Sequence, residues 1–279
     1  MKDRYGREID YLRISITDRC NLRCIYCMPE EGICQTAHKE ILTYDEIRRI
    51  CRCMTALGIK KIKLTGGEPL TRKGSAVLVR MLKELPGIEK VTLTTNGILL
   101  KEQMAELAEA GIDNINISLD TLNTEAFKKI TRREGLARVL EGLKEAMKYP
   151  QIGLKINCVP VLEDPENLIN LAGIARDNPI HVRFIEMMPI GYGKEFRFCG
   201  EDEICSVLEG AYGEMTPITE KYVNGPCHYY KISDFQGKIG FISAMTHKFC
   251  SQCNRVRMTS EGYLKACLQS VSYTHLTLP

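Results

Sequence analysis

The sequence predicts an α/β fold built on a parallel sheet, and three observations carry that expectation. Short β-branched runs alternate with helical patterns. Strand starts at residues 11, 60, 90, 114, 153 and 181 lie 24 to 49 residues apart. Each apolar run also ends in small polar residues. The spacing leaves room for a crossover helix between strands, which parallel neighbours require and which winds right-handed. The length suits either about two domains or one α/β barrel of roughly 250 residues. Periodicity alone does not say whether the sheet closes, half-closes or stays open.

In chain order the expected strands are Tyr11–Thr17, Lys60–Thr65, Lys90–Thr94, Asn114–Leu119, Gly153–Val159 and His181–Glu186. Each is rich in β-branched residues and bounded by turn formers. The first helix, Tyr44–Leu57, opens on the capping box Thr43-Tyr-Asp-Glu46 and stops at Gly58. Ala76–Leu85, Lys101–Ala110 (stopped by Gly111), Leu136–Lys148 and Glu166–Asn178 follow, the last opened by Pro165. After about residue 190 the βα rhythm stops. His228–Lys231 and Lys238–Ile242 read as a hairpin around Ser233–Gly237, followed by a small cysteine-bearing appendage. Val271–Pro279 carries no element pattern and reads as a chain cut short or replaced.

The strand ends are Thr17-Asp18, Thr65-Gly-Gly-Glu68-Pro69, Thr94-Thr-Asn96-Gly97, Ser118-Leu-Asp120, Asn157-Cys158 and Glu186-Met-Met188-Pro189. They would gather at the carboxyl edge of one sheet, the functional face of barrels and open α/β sheets. Composition narrows the partners. Hydrophobic content of 44% with 26% charge argues against disorder, and 38 Lys+Arg against 35 Asp+Glu leaves +3, too little for a nucleic-acid binder. No stretch approaches the ~20 apolar residues of a membrane span, and the N-terminus has no signal-peptide pattern. Thirteen cysteines without an export signal point to a reducing, cytoplasmic setting in which clustered thiols bind metal or do redox chemistry.

Two clusters stand out. Cys20-x3-Cys24-x2-Cys27 places three thiols in the loop after the first strand. Structural zinc usually takes four Cys or His ligands, and this loop has no His; three thiolates suit a [4Fe–4S] cluster with one open iron. Cys250-Ser-Gln-Cys253 and Cys267 repeat the arrangement, with His247 leaving a Cys3His zinc site open. Between them Arg255 and Arg257 stand two apart, so an extended segment presents both on one face, and Arg forks suit phosphate and purine edges. Cys51 and Cys53 share no helix face. Cys34, Cys158, Cys199, Cys205 and Cys227 lack a motif and read as buried small hydrophobes.

The first cysteine motif, with an aromatic before its last Cys, and Gly66-Gly67-Glu68-Pro69 after the next strand resemble the radical S-adenosylmethionine (SAM) superfamily. Within it, LRISITDRCNLRCIYCMPEEG, KLTGGEPL, LTTNG, NISLD, RFIEMMPIG and FCSQCNRVRMTSEGYLKACL are similar, from about Tyr5 to Cys267, to members acting on GTP at the start of molybdenum-cofactor biosynthesis. The resemblance implies an incomplete TIM-type (βα)6 barrel of the radical SAM type over residues 5–225 and a C-terminal cluster-binding extension over 226–279. It implies two [4Fe–4S] clusters, one on Cys20, Cys24 and Cys27 and one on Cys250, Cys253 and Cys267. SAM cleavage at the first would give a radical that takes the ribose 3′ hydrogen of GTP, after which C3′ joins guanine C8.

Position matching assigns SAM contacts to Tyr26, Gly67, Ser118 and Met188, and glycine at 67 lets a ligand approach the chain closely. It assigns GTP contacts to Arg13, Lys63, Thr94, Lys155, Arg255 and Arg257, with Arg13, Arg255 and Arg257 as the catalytic candidates. Taken alone, Lys63 and Lys155 would read as solvated surface lysines. The implied partners are a low-potential electron donor of flavodoxin or ferredoxin type and the cyclic pyranopterin monophosphate synthase that acts next; a homodimer is left open. Relatives generally carry Arg where Lys63 stands, and they end in a Gly-Gly tail that Ser270–Pro279 does not resemble. The competing functions are radical chemistry on another substrate and a non-catalytic metal-binding module.

Overall fold

Every expected strand of the first 185 residues forms, and each is followed by helix. β1 (Tyr11–Ser15) leads through the long cysteine loop to α1 (Tyr44–Ala56), β2 (Lys61–Thr65) to α2 (Ser75–Lys83), and β3 (Lys90–Thr95) to α3 (Leu100–Glu109). β4 (Asn114–Ser118) is followed by α4 (Thr124–Thr131) and α5 (Leu136–Ala146), β5 (Gly153–Cys158) by α6 (Pro165–Asp177), and β6 (His181–Ile185) by α7 (Glu201–Tyr212). Then come β7 (Met215–Ile218), β8 (His228–Ile232), β9 (Ile239–Ile242), β10 (Arg255–Met258), β11 (Tyr263–Lys265) and β12 (Thr274–His275). This computed structural model describes residues 2–161, 164–197, 199–218, 225–269 and 274–275.

β1 to β6 pair in chain order and all in parallel. β9 adds parallel to β6 and β10 parallel to β1, while β8 and β9 form the expected antiparallel hairpin. The sheet runs from β12 to β7 with β9 and β10 unpaired to one another among the described residues, so the barrel stays incomplete. The capping box forms as expected: the Thr43 backbone N–H donates to Glu46 Oε2 (2.7 Å) and the Glu46 N–H to Thr43 Oγ1 (3.2 Å). Caps of this kind contribute roughly 1 kcal/mol.

Three expectations are corrected. The βα rhythm does not stop at residue 190, because α7 follows β6. Gly200 precedes it without a side-chain cap, so its signals are the acidic first turn (Glu201, Asp202, Glu203), which suits the positive helix end, and the buried pair Ile204 and Leu208. The short α4 is also additional, capped by Asn123 Oδ1 accepting from the Ala126 N–H (2.9 Å). In Val271–Pro279, Thr274–His275 pair with β11, and the rest of that stretch lies outside the described residues.

Side chains alternate along β1–β6 with period two. Leu12, Ile14, Ile62, Leu64, Val91, Leu93, Ile115, Ile117, Ile156, Val182 and Phe184 are at most 1% exposed and join helix residues such as Ile47, Leu78 and Leu107 in one apolar core. Burying each contributes roughly 1.5–3 kcal/mol. The intervening positions are polar: Arg13, Lys63, Thr94, Asn116, Lys155, Asn157 and Arg183. A closed TIM barrel fills its interior with branched apolar residues, whereas these strands turn charge and amide groups inward.

Candidate active site

The inward rows meet in a cavity of about 110 Å³ lined by Arg13, Lys63, Thr94, Asn116, Arg183 and Arg255, among others, with no carboxylate on its walls among the described residues. Strand register sets this arrangement. Arg13 is the partner of Lys63 on one side and of Arg257 on the other, and Asn116 lies between Thr94 and Lys155. Lys63 and Lys155 are 8% and 6% exposed, which corrects the surface reading each would have alone. Burial, then Arg257, Arg255 and Arg183, push the Arg13 guanidinium down to about 9. Burial, then Arg183, Arg13, Lys155 and Arg255, hold Lys63 well below the lysine range. Arg183 is fixed by Asn157 Oδ1, which accepts from its Nε (2.9 Å) and Nη2 (2.5 Å). Several cations without a counter-charge make a receptor for a polyanion.

A pH dependence follows. Burial and then Arg183 lower Lys155 from 10.5 to about 8. Its folded value lies below its unfolded one, so the penalty for keeping the proton is present below about pH 8 and fades as pH rises toward the unfolded value. The ligand-free protein should therefore gain thermal stability between about pH 8 and pH 10. Affinity for inorganic triphosphate should fall over the same window as the ammonium is lost. Melting curves with and without triphosphate read both trends, and Lys155→Met should flatten them; unchanged slopes in that variant would remove Lys155 from the site.

The loop between β1 and α1 carries Cys20 and Cys24, both partly buried, and Cys27, which is exposed; all are free thiols. Cys20 Sγ accepts from the Leu22 N–H (3.4 Å) and has Asn96 Nδ2 at 4.0 Å. Glu68, 1% exposed, accepts from Thr95 Oγ1 (2.7 Å), the Leu70 N–H (3.0 Å) and the Asn96 N–H (2.6 Å). Asn96 Nδ2 in turn donates to Asn21 Oδ1 (2.7 Å), so the ends of β2 and β3 grip the cysteine loop. Burial raises Glu68 to about 7 despite its three donors.

A Cβ on Gly67 would lie 2.3 Å from the Arg19 carbonyl oxygen and 2.6 Å from that of Asp18. Close approach of the cysteine loop is thus one reason for glycine there. Tyr26 and Ser118 line one small cavity with Cys24, and the Tyr26 hydroxyl donates to partly buried Asp120 (2.7 Å). Burial pushes Asp120 up to about 6. Met188 is not in that cavity.

Met188 instead lines a larger one, about 450 Å³, with Cys250, Cys253, Cys267, Arg255 and Arg257. Arg255 borders both this cavity and the cationic one, and its guanidinium stacks over Phe249 at 5.3 Å. Burial works against a Cys253 thiolate, but the hydrogen bond and charge of Arg255, with Arg7, outweigh it and lower the thiol below its ordinary value. The turn before Cys250 is anchored by buried Glu186, which accepts from the N–H groups of Met245 (2.7 Å) and Thr246 (3.0 Å). His247 does not line the thiol cavity; its Nδ1 lies 3.5 Å from Glu201. Among the described residues no three Cys, His, Asp or Glu side chains close on a single ion. Two sets of three free, soft thiols, the second drawn from either side of β10 and β11 with a cation beside them, are the donor chemistry of iron–sulfur clusters. Of the other cysteines, Cys51 and Cys158 are buried, but Cys34 and Cys53 are exposed, which corrects the packing role for Cys34.

The radical SAM superfamily model matches residues 14–173, and that described as Molybdenum Cofactor Synthesis C matches residues 180–277. A GTP 3′,8-cyclase of Clostridium perfringens (strain 13 / Type A) is 46% identical over 270 residues, spanning 96% of this chain and 83% of the relative. The chain belongs to the GTP 3′,8-cyclase family of radical SAM proteins. A GTP 3′,8-cyclase of Pelotomaculum thermopropionicum is 43% identical, with 96% and 84% covered. Among solved structures, Streptococcus suis SuiB bound to S-adenosylmethionine superposes with a TM-score of 0.70 at 19% identity, covering 96% of this chain and 63% of that one. Methylornithine synthase (PylB) follows at 0.55 and 20% identity, with 75% and 64% covered. These likenesses carry the fold: the α/β sheet with its incomplete barrel is that of the radical SAM type. No described helix is long and apolar enough to cross a membrane.

For a member of the GTP 3′,8-cyclase family, sequence reasoning missed Arg183, Asn157 and Asn116 in the cationic cavity. Their signal was available, since alternation in His181-Val-Arg183-Phe-Ile185 puts Arg183 on the face opposite buried Val182 and Phe184. Glu68, Asn96 and Asp120 sit within the strand-end motifs, and only the folded strand ends show what they grip.

Proposed function

We propose that this chain converts GTP to (8S)-3′,8-cyclo-7,8-dihydroguanosine 5′-triphosphate, the first step of molybdenum-cofactor biosynthesis. One observation supports this above the others: a cation-lined cavity, free of carboxylates among the described residues, and a cavity lined by three thiols share Arg255 as a common wall. Cys20, Cys24 and Cys27 would hold one [4Fe–4S] cluster and Cys250, Cys253 and Cys267 the other, with SAM contacted at Tyr26, Gly67, Ser118 and Met188. When bound, these groups supply the reducing electron and carbon radical that removal of the ribose 3′ hydrogen demands and no side-chain acid or base can furnish.

The chain's own residues bind and orient. Arg13, Lys63 and Lys155 face the triphosphate, about four negative charges, and Thr94 offers a hydroxyl beside them. Lys63 meets it as a point charge, without the bidentate fork of an arginine. Arg255 and Arg257 hold the nucleoside between the cavities, so that C3′ and C8 lie within bonding reach of each other. Residues 5–225 act as the partial barrel and 226–279 as the extension that brings the second thiol set. A reducing, cytoplasmic setting, a low-potential flavodoxin- or ferredoxin-type donor and a cyclic pyranopterin monophosphate synthase downstream complete the reading.

Anaerobic reconstitution followed by incubation with SAM, GTP and dithionite tests it. About eight iron atoms per chain are expected. The 5′-deoxyadenosine product should form only with GTP and carry the hydrogen from C3′. GTP-independent cleavage without a cyclised nucleotide would point to another substrate; zinc, or about four irons, would leave a metal-binding module.

A further inference from the structure

Tyr229 on β8 is 4% exposed, and its hydroxyl is fully buried without a well-formed hydrogen bond, its polar neighbours being the Cys227 thiol and Arg183. Such a group costs roughly 1–3 kcal/mol unless something pairs with it. Among the described residues five buried side-chain atoms share this condition, and they are not scattered evenly. Arg13 Nε and the Tyr229 hydroxyl belong to residues lining the same cationic cavity, and the His181 ring, whose Nδ1 is a third, packs edge-on against Tyr229 at 5.5 Å. Unpaired polar atoms gathered round a cavity without carboxylates mark where a polar ligand completes the protein's hydrogen bonding.

The ring is also held in place. Tyr229 pairs with Gly240, and Gly240 with Arg183, so the phenol stands beside that arginine's strand. A Cβ on Gly240 would lie 2.9 Å from Tyr229 Cε1, so the ring rests against bare backbone. Tyr229 approaches from the β8–β9–β6 side, whereas Arg255 enters from β10 at the other flank of the barrel. A nucleotide whose base end lies toward Arg255 and the thiols would extend its phosphates toward Arg183 and Tyr229.

We infer that the Tyr229 hydroxyl binds substrate, donating a hydrogen bond to the terminal phosphate and so favouring a triphosphate over shorter nucleotides. This rests on the GTP reading above. The test uses anaerobically reconstituted Tyr229→Phe protein, with equilibrium dialysis of GTP and of guanosine and a melting curve of the ligand-free form. GTP affinity should fall about ten- to a hundredfold, the worth of one hydrogen bond to a charged group, while guanosine affinity stays level. The ligand-free melting temperature should stay within about a degree of the parent's, because the hydroxyl makes no well-formed hydrogen bond to lose. GTP affinity within about twofold of the parent, an equal loss for guanosine, or a melting temperature lowered by more than that would each overturn the inference. Absence of GTP binding by the parent protein would instead overturn the function on which it rests.

Discussion

Arg257→Ala is expected to leave SAM binding intact and to abolish the cyclised nucleotide. Arg257 sits on β10 with Arg13 and Lys265 as its strand partners, and its side chain lines the thiol cavity. Burial, then Arg255, lower its guanidinium, with Cys267 and Cys253 acting in the opposite sense. On the proposed function, truncation removes a planar fork that would orient the nucleoside, and loss of such a positioned donor costs about a hundredfold or more in rate. It also removes a partly buried like charge beside Arg255, so the ligand-free protein should melt no lower. Arg257→Lys restores the charge without the fork and should recover only part of the yield. Product chromatography alongside a SAM-binding titration separates the two effects; parental product yield from Arg257→Ala would exclude it from substrate handling.

Gly67→Ala should disable the first thiol loop without touching a cysteine. The new methyl would meet the carbonyl oxygens of Arg19 at 2.3 Å and Asp18 at 2.6 Å, closer than real contacts allow. The Arg19 carbonyl is held by the Glu68 N–H (2.7 Å), and the Gly67 N–H donates to the Thr17 carbonyl (2.8 Å), so the loop backbone is tied to this turn on both sides of Asp18. Overpacking against backbone costs about 1–3 kcal/mol or more. The melting temperature should fall by several degrees, and iron after reconstitution should drop from about eight to about four per chain. Gly210→Ala in α7 is the control, because its Cβ would meet nothing within 4 Å. Full iron in Gly67→Ala would show that the loop tolerates displacement.

The strands were legible because each is a short β-branched run ending in small polar residues, and their ends shift by no more than two positions. Helices with strong punctuation, such as Thr43 through Gly58, were equally plain. What stayed hidden was either weakly punctuated or non-local. α7 begins after a glycine that gives no capping side chain, and nothing in Ile239–Ile242 or Arg255–Met258 announces that these strands flank β6 and β1. That pairing brings Arg255 and Arg257 beside Arg13, which the i, i+2 spacing placed on one face but could not place in the molecule. Lys63 and Lys155 show the same limit: a lysine between apolar neighbours faces water in most sheets, and only the inward turn of the open barrel buries it.

The alternation of β1–β6 has a consequence for assembly of the sheet. A strand that slipped by one residue would thrust Arg13, Lys63, Lys155 or Arg183 into the layer under the helices and expose Leu12, Ile62, Ile156 or Val182 to the lumen. An unpaired charge in an apolar layer is expensive enough to forbid that arrangement. These inward-facing cations therefore act as alignment pins during folding: they specify which residue faces which across five parallel ladders. A protein with these positions neutralised together should collapse with its strands less uniquely matched, even where its apolar core is untouched.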